Sequence, residues 1–269
     1  MEEINILEIK NLNFKSDGQQ ILDNFNLKVK KGSIHSILFK KEKSKNKILE
    51  FLQGKNGFNN AKLIIKGVKT NRKKLKNTDK NIIYLINQYS AVNPEKDPLG
   101  IFKFNNTGDN ENRSTVFPEM TISENIFFGR EPLKSFLFFK AIDNQKMNEL
   151  TKNLLSLLEL ELYPDQKMME LSPLEKQLVE ILKALSYQAE ILLIDQAVVN
   201  IVEEKKSIFF DFIKKLKEKG ITVVYFTQEI KEVFTSSDYV SILKDGKNMG
   251  EYKVSNLEYN ELALLLMGK

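Results

Sequence analysis

The chain has 269 residues, 42% of them apolar, a formal charge of +5, one histidine and no cysteine. That length and apolar share suit a folded core rather than intrinsic disorder. The missing thiols exclude disulfides and thiolate metal sites and fit a reducing compartment, and the lone His35 excludes a multi-histidine metal centre. The acidic start Met1-Glu2-Glu3-Ile4 lacks the charged-then-apolar layout of a secretory leader. The longest apolar stretches, Phe136–Ile142 and Leu262–Met267, fall short of the ~18 residues that span a bilayer. A soluble protein with no direct membrane insertion is expected, cytoplasmic or peripheral at the inner face of the plasma membrane. Lysines cluster at Lys28–Lys31, Lys40–Lys47 and Lys66–Lys80. No aromatic residues interleave them as a nucleic-acid platform requires, so they read as a solvated face and no nucleic-acid partner is expected.

Taken in chain order, Ile6–Asn11, Phe25–Val29 and Ser33–Leu38 read as strands, with a turn at Lys31-Gly32. His35 sits inside the third apolar run and reads as structural. Lys45–Leu52 has helical period, with Ile48, Leu49 and Leu52 on one side and Gly54 as the stop. Lys62–Ile65 and Asn81–Ile86 are further strands, and the stretch Tyr89–Ser114 reads as a hydrophilic loop. Thr121-Ile122-Ser123-Glu124 is a capping box opening a helix. Gln145–Leu162 and Pro173–Tyr187 are helical. The apolar strand Ile191–Ile194 ends in Asp195. Glu203–Lys219 is an amphipathic helix with Ile208, Phe209, Phe212, Ile213 and Leu216 inward, stopped by Gly220. Strands at Thr222–Phe226, Tyr239–Leu243 and Gly250–Lys253, and a helix at Tyr259–Leu266, complete the chain. Strand–helix alternation at this spacing predicts an α/β core with a parallel sheet.

From Asp195 onward the order of residues becomes specific. Asp195-Gln196-Ala197, the run from Gly220 to Glu229, Ser237-Asp238 and Leu243-Lys244-Asp245-Gly246-Lys247 follow one another. Upstream stand Leu171-Ser172 before a helix and the segment from Ile122 to Glu131. Together they resemble the ATP-binding subunit of ribose- and galactose-type ABC transporters, specifically the first of the two cassettes those importers usually fuse. The resemblance implies a P-loop NTPase-like α/β fold with an antiparallel β-subdomain and a helical subdomain at about 117–187. One ABC-type nucleotide-binding domain then fills 1–269, with a polar loop insertion at about 89–116.

The chemistry-bearing positions of that resemblance are replaced. A P-loop reads G-x-x-x-x-G-K-[ST], its glycines letting backbone N–H groups reach phosphate while the lysine bridges and the hydroxyl holds magnesium. The matching stretch runs Phe39-Lys40-Lys41-Glu42-Lys43-Ser44-Lys45-Asn46, in which Lys45 alone survives. Asn46 replaces the hydroxyl, and Glu42 adds a charge that repels phosphate. Ser16 stands at the adenine-stacking position, with Phe14 better read as core. The signature L-S-G-G-Q becomes Leu171-Ser172-Pro173-Leu174-Glu175. The resemblance puts Gln196 at the catalytic glutamate and Gln228 at the switch histidine, so no catalytic residue is intact. An amide takes no proton at neutral pH. Gln88 and Asp195 match the family's Q-loop and magnesium-orienting residues, although an ordinary loop amide and a strand-end aspartate explain them equally. The vestigial nucleotide contacts are Lys45, Asn46, Gln88, Asp195 and Ser172.

The expected function is a structural or regulatory, non-hydrolysing partner of a sugar- or nucleoside-type ABC importer. Its partners would be a membrane permease subunit, a second ABC ATPase subunit, or both. No cofactor is expected, and no metal, unless the family activity survives with ATP and magnesium. A working ATPase with divergent motifs is the alternative, and a non-transport relative acting on nucleic acid or ribosomes is the second.

Overall fold

A computed structural model describes residues 4–54, 58, 60–70, 83–86, 116–136, 139–196, 198 and 201–267. The expected loop at Tyr89–Ser114 lies outside them. The chain divides into two compact units, one formed by 1–85, 190–196 and 210–269, the other by 86–189 and 197–209.

In the first unit, β1 (Asn5–Ser16), β2 (Gln19–Lys30), β4 (Lys62–Ile65) and β5 (Val68–Thr70) form an antiparallel sheet in the order β2-β1-β4-β5. The second half of β2 alternates strictly, with Phe25, Leu27 and Val29 buried and Asn24, Asn26 and Lys28 exposed. This is the pattern of a strand with one wet face. Both β1 and β2 are longer than sequence patterning suggests. Asn11 and Asn24 take positive φ, and the β1–β2 register shifts on either side of Leu12. Bulges of this kind break the two-residue alternation that a sequence reading follows.

The main sheet runs β12-β11-β3-β10-β9-β6, with β3 (Ile34–Phe39), β6 (Ile83–Ile86), β9 (Ile191–Asp195), β10 (Thr222–Thr227), β11 (Tyr239–Lys244) and β12 (Lys247–Lys253). Strand β3 pairs in parallel with β10 and β11, and β10 pairs in parallel with β9. Every residue of β3 and β10 is buried. A strand covered on both faces needs a continuous apolar run, which both supply apart from His35, Ser36, Thr222 and Thr227. Helix α1 (Glu42–Leu52) sends Ile48, Leu49, Phe51 and Leu52 into a core shared with the inner faces of both sheets. Hairpin β11–β12 turns at Asp245-Gly246, both with positive φ, as a two-residue type I′ turn demands. A Cβ on Gly246 would lie 2.5 Å from the Ile21 carbonyl oxygen, so only glycine fits there.

Helix α5 (Glu203–Glu218) corrects one expectation. Ile208 is 52% exposed, while Phe210 is buried and meets the Tyr225 ring edge-on at 5.9 Å. The two residues lie ~100° to either side of Phe209, and the buried stripe leans toward Phe210. Helices α6 (Ile230–Ser236) and α7 (Tyr259–Met267) cover a smaller cluster of Leu38, Val233, Val240, Ile242, Val254, Leu262 and Leu266.

In the second unit, α2 (Ile122–Phe127), α3 (Asn144–Leu157) and α4 (Pro173–Ser186) pack on one another. The Thr121/Glu124 capping box is present with both hydrogen bonds, as its spacing predicts. Asn125 accepts from the Phe117 N–H and donates to the Phe117, Met120 and Thr121 carbonyls, pinning the turn ahead of its helix. Arg130 donates to Ser186 Oγ and the Ile126 carbonyl and lies 3.4 Å from the Tyr187 ring centroid. A hairpin of β7 (Leu133–Phe136) and β8 (Phe139–Ile142), not expected from the sequence, follows. No helix among the described residues is long and apolar enough to cross a membrane.

His35 is fully buried, its Nε2 2.9 Å from Ser241 Oγ, and Nδ1 finds no partner among the described residues. Burial lowers its pKa from 6.5 to about 3. Between those values the unfolded chain binds a proton that the fold refuses, so stability falls as pH drops through this window. Between pH ~6 and ~5 the wild type is expected to lose roughly 1 kcal/mol of unfolding free energy more than His35→Gln does. Urea unfolding of both proteins across that range checks the difference in slope.

Candidate functional site

Strands β3, β9 and β10 are parallel, so their carboxyl ends lie together on one edge of the sheet. Open α/β sheets present ligand sites at that edge. Strand β3 stops at Phe39, and α1 begins at Glu42 after only Lys40 and Lys41. Strand β9 delivers Asp195 and then Gln196, and β10 delivers Thr227 and then Gln228.

Lys45, one turn into α1, points back to this edge. Its Nζ lies 2.9 and 2.7 Å from the two Asp195 oxygens and 2.8 Å from Glu42 Oε2. The Lys45 side chain is 6% exposed and that of Asp195 15%. Burial pushes the Asp195 carboxyl pKa upward, Lys45 pulls it back, and the neighbouring Glu42 charge pushes it up again. Glu42 Oε1 accepts from Gln196 Nε2 and, at 2.9 Å, from Gln228 Nε2. Gln196 takes positive φ (48°), a strained backbone for a residue of its kind. One lysine, two carboxylates and two amides therefore form a single closed network.

Of the sequence candidates, Lys45, Asp195, Gln196 and Gln228 come together here. Asn46 is exposed and outside the network. Ser172 belongs to the second unit, where it caps α4: its Oγ accepts from the Glu175 N–H, and Glu175 Oε2 accepts from the Ser172 N–H. Gln88 lies outside the described residues. Ser16 is half-buried, and Phe14 is tilted against Phe58 at 5.2 Å on the edge of the core.

No family model matches the chain. It is 31% identical over 270 residues to a Halalkalibacterium halodurans protein named provisionally as a ribose/galactose/methyl galactoside import ATP-binding protein, covering 100% of this chain and 47% of that one. It is 30% identical over 266 residues to the xylose import ATP-binding protein XylG of Thermoanaerobacter pseudethanolicus, covering 98% and 47%. A solved nucleotide-free ATP-binding cassette from an ABC transporter superposes with a TM-score of 0.73 at 21% identity, covering 97% of this chain and 96% of that one. The chain belongs to the ATP-binding cassette family. It spans about half the length of these sequence relatives, and its P-loop NTPase-type α/β fold matches the solved cassette along almost its whole length.

Sequence reasoning about this cassette missed two glutamates. Glu42 reads in sequence only as a charge opposed to phosphate, yet it is the hub of the network. The signal available was its three-residue spacing from Lys45 on a helix. Glu175 stands in the sequence only as a replaced residue of the signature, yet Ser172-x-x-Glu175 is a capping box by spacing alone.

Lys45→Ala would leave the Asp195 carboxylate buried beside Glu42 with no cation. A loss of about 3 kcal/mol in urea unfolding is expected. Adding Asp195→Ala removes the orphaned charge, so the double variant should be less destabilised than the two single losses summed, by about 1–3 kcal/mol. Strict additivity would show that the pair is not coupled.

Proposed function

We propose that this cassette is a structural or regulatory, non-hydrolysing component of a sugar- or nucleoside-type ABC import assembly. It would work beside a membrane permease, a second ATP-binding subunit, or both. The observation that carries the reading is the closed network, in which the lysine of the P-loop position and the amides at the catalytic and switch positions are all bonded to Glu42. In this reading the chain is one nucleotide-binding-type domain, with a helical subdomain at about 117–187 and a polar insertion at about 89–116.

The residues in place do not fit magnesium nucleotide. A phosphate cradle needs consecutive backbone N–H groups bared by glycine, and only two lysines separate β3 from α1. Phe39 and Ser44 stand at the glycine positions, Phe39 wholly buried and Ser44 Oγ donating to the Ile21 carbonyl at 3.0 Å. Lys45 is occupied by Asp195 and Glu42. The magnesium-binding hydroxyl is Asn46, and Gln196 offers an amide where water would need a base. The names of the relatives support an import assembly; ABC importers draw their cargo choice from other subunits, so the fold names no sugar.

Two outcomes follow. Gln196→Glu adds a base without a cradle, so phosphate release from the purified variant should stay at background, with or without a permease. Turnover from that single change would favour a working ATPase. Magnesium-ATP should give no saturable heat in calorimetry at millimolar ligand and ~150 mM salt. Millimolar affinity is about 4 kcal/mol, and each charge-assisted bond lost costs about 1.5–3. Adenine-selective binding that disappears in Lys45→Ala would overturn the reading.

A further inference from the structure

We propose that Glu42 is an internal ligand. Its carboxylate holds the position at the carboxyl edge of the sheet where an anion would otherwise gather Lys45, Gln196 and Gln228, and so keeps the site closed without nucleotide. The inference rests on the non-hydrolysing reading above and deepens it, because it names what replaces the ligand.

The argument is one of donor counting. Lys45 Nζ brings three N–H donors and Asp195 faces it with both oxygens, yet the lysine also holds Glu42 Oε2. The amides of Gln196 and Gln228 come from the ends of two different strands, β9 and β10, and meet on one oxygen, Glu42 Oε1. Three side chains from three elements thus converge on one carboxylate. Glu42 is also the first residue of an eleven-residue helix, whose N-terminus favours negative charge. Lys41, the residue before it, supplies no side-chain cap and instead pairs with Asp245 at 2.7 Å. The helix therefore receives its favourable charge from its own first residue.

The start of α4 is met differently, by side-chain caps, as is the start of α2. At α4 the N-terminal donors are met by Ser172 and Glu175 in a complete capping box. There Glu175 accepts from the Ser172 N–H within the box, whereas Glu42 gathers side-chain donors from three elements. Removing the carboxylate of Glu42 should uncover the donors that it occupies. Lys45 keeps Asp195, so the fold has a reason to survive.

The experiment uses the full chain and inorganic pyrophosphate as probe, read by thermal shift and calorimetry at physiological salt. Wild type is expected to show no saturable response. Glu42→Ala should bind pyrophosphate at least roughly tenfold more tightly than wild type, and Glu42→Ala/Lys45→Ala should lose that gain. Glu42→Gln keeps the shape and removes the charge; it should fall between the two and provides a second measurement if the alanine variant folds poorly. Equal responses in wild type and both Glu42 variants would overturn the inference, as would saturable, Lys45-dependent binding by wild type. Phosphate release from ATP by wild type instead overturns the non-hydrolysing reading, so the two failures are read on different instruments.

Discussion

Strand β3 is paired on both edges and buried at every residue, and the rest of the site hangs from that fixed strand. Because β10 and β11 flank it in parallel, the residues just after β3, β9 and β10 are brought to one edge without any contribution from side-chain chemistry. Phe39 closes β3 with a fully buried ring, so the chain has no slack as it leaves the sheet. Two residues later it is helical. A glycine in place of Phe39 would free the backbone to curl around a ligand; a buried phenylalanine anchors it instead. The short passage from β3 to α1 then decides where Glu42 and Lys45 stand.

Given that geometry, the ion cluster is a solution to a desolvation problem. A lysine with a 6% exposed side chain needs a counter-charge, and Asp195 supplies it from β9. Burial acts against the Asp195 charge more strongly than Lys45 relieves it, since the carboxyl pKa still rises. The sign matters: an acid whose folded pKa lies above its unfolded one stabilises the fold only below the unfolded pKa, and loses that contribution as pH rises through the folded value. Part of the attraction between Asp195 and Lys45 therefore offsets the desolvation of the carboxylate. Glu42, half exposed, adds an acceptor without a comparable desolvation cost.

Much of this was legible in the sequence, and the exceptions share a cause. The buried runs of β3, β9 and β10, the helix stops at Gly54 and Gly220, and the Thr121 capping box follow from local pattern. The extents of β1 and β2 do not, because asparagines in left-handed conformation at Asn11 and Asn24 shift the alternation. Ile208 and Phe210 are equally placed by helical period, and only tertiary packing against Tyr225 selects between them. At the site, the family resemblance indicated that Lys45, Asp195, Gln196 and Gln228 belong together. It gave Glu42 the wrong sign, for a carboxylate judged against an absent phosphate is repulsive, whereas the same carboxylate judged against the lysine and amides around it is their acceptor.

That reversal bears on how the proposed non-hydrolysing cassette would hold its site without a ligand. Donors gathered at the edge of a sheet are polar groups drawn from water, and leaving them unpaired costs more than never having gathered them. A ligand-binding protein meets that cost from solution. A chain that carries its own carboxylate meets it intramolecularly, at an effective concentration that is millimolar or higher and does not vary with the cell's nucleotide supply. An incoming polyanion would have to displace Glu42 and lose its own hydration, while gaining only the bonds Glu42 already makes. Nothing in that exchange favours the visitor. In the proposed non-hydrolysing reading, such a residue would leave the glycines, the hydroxyl and the general base without a purpose together, which would account for replacements at every one of those positions.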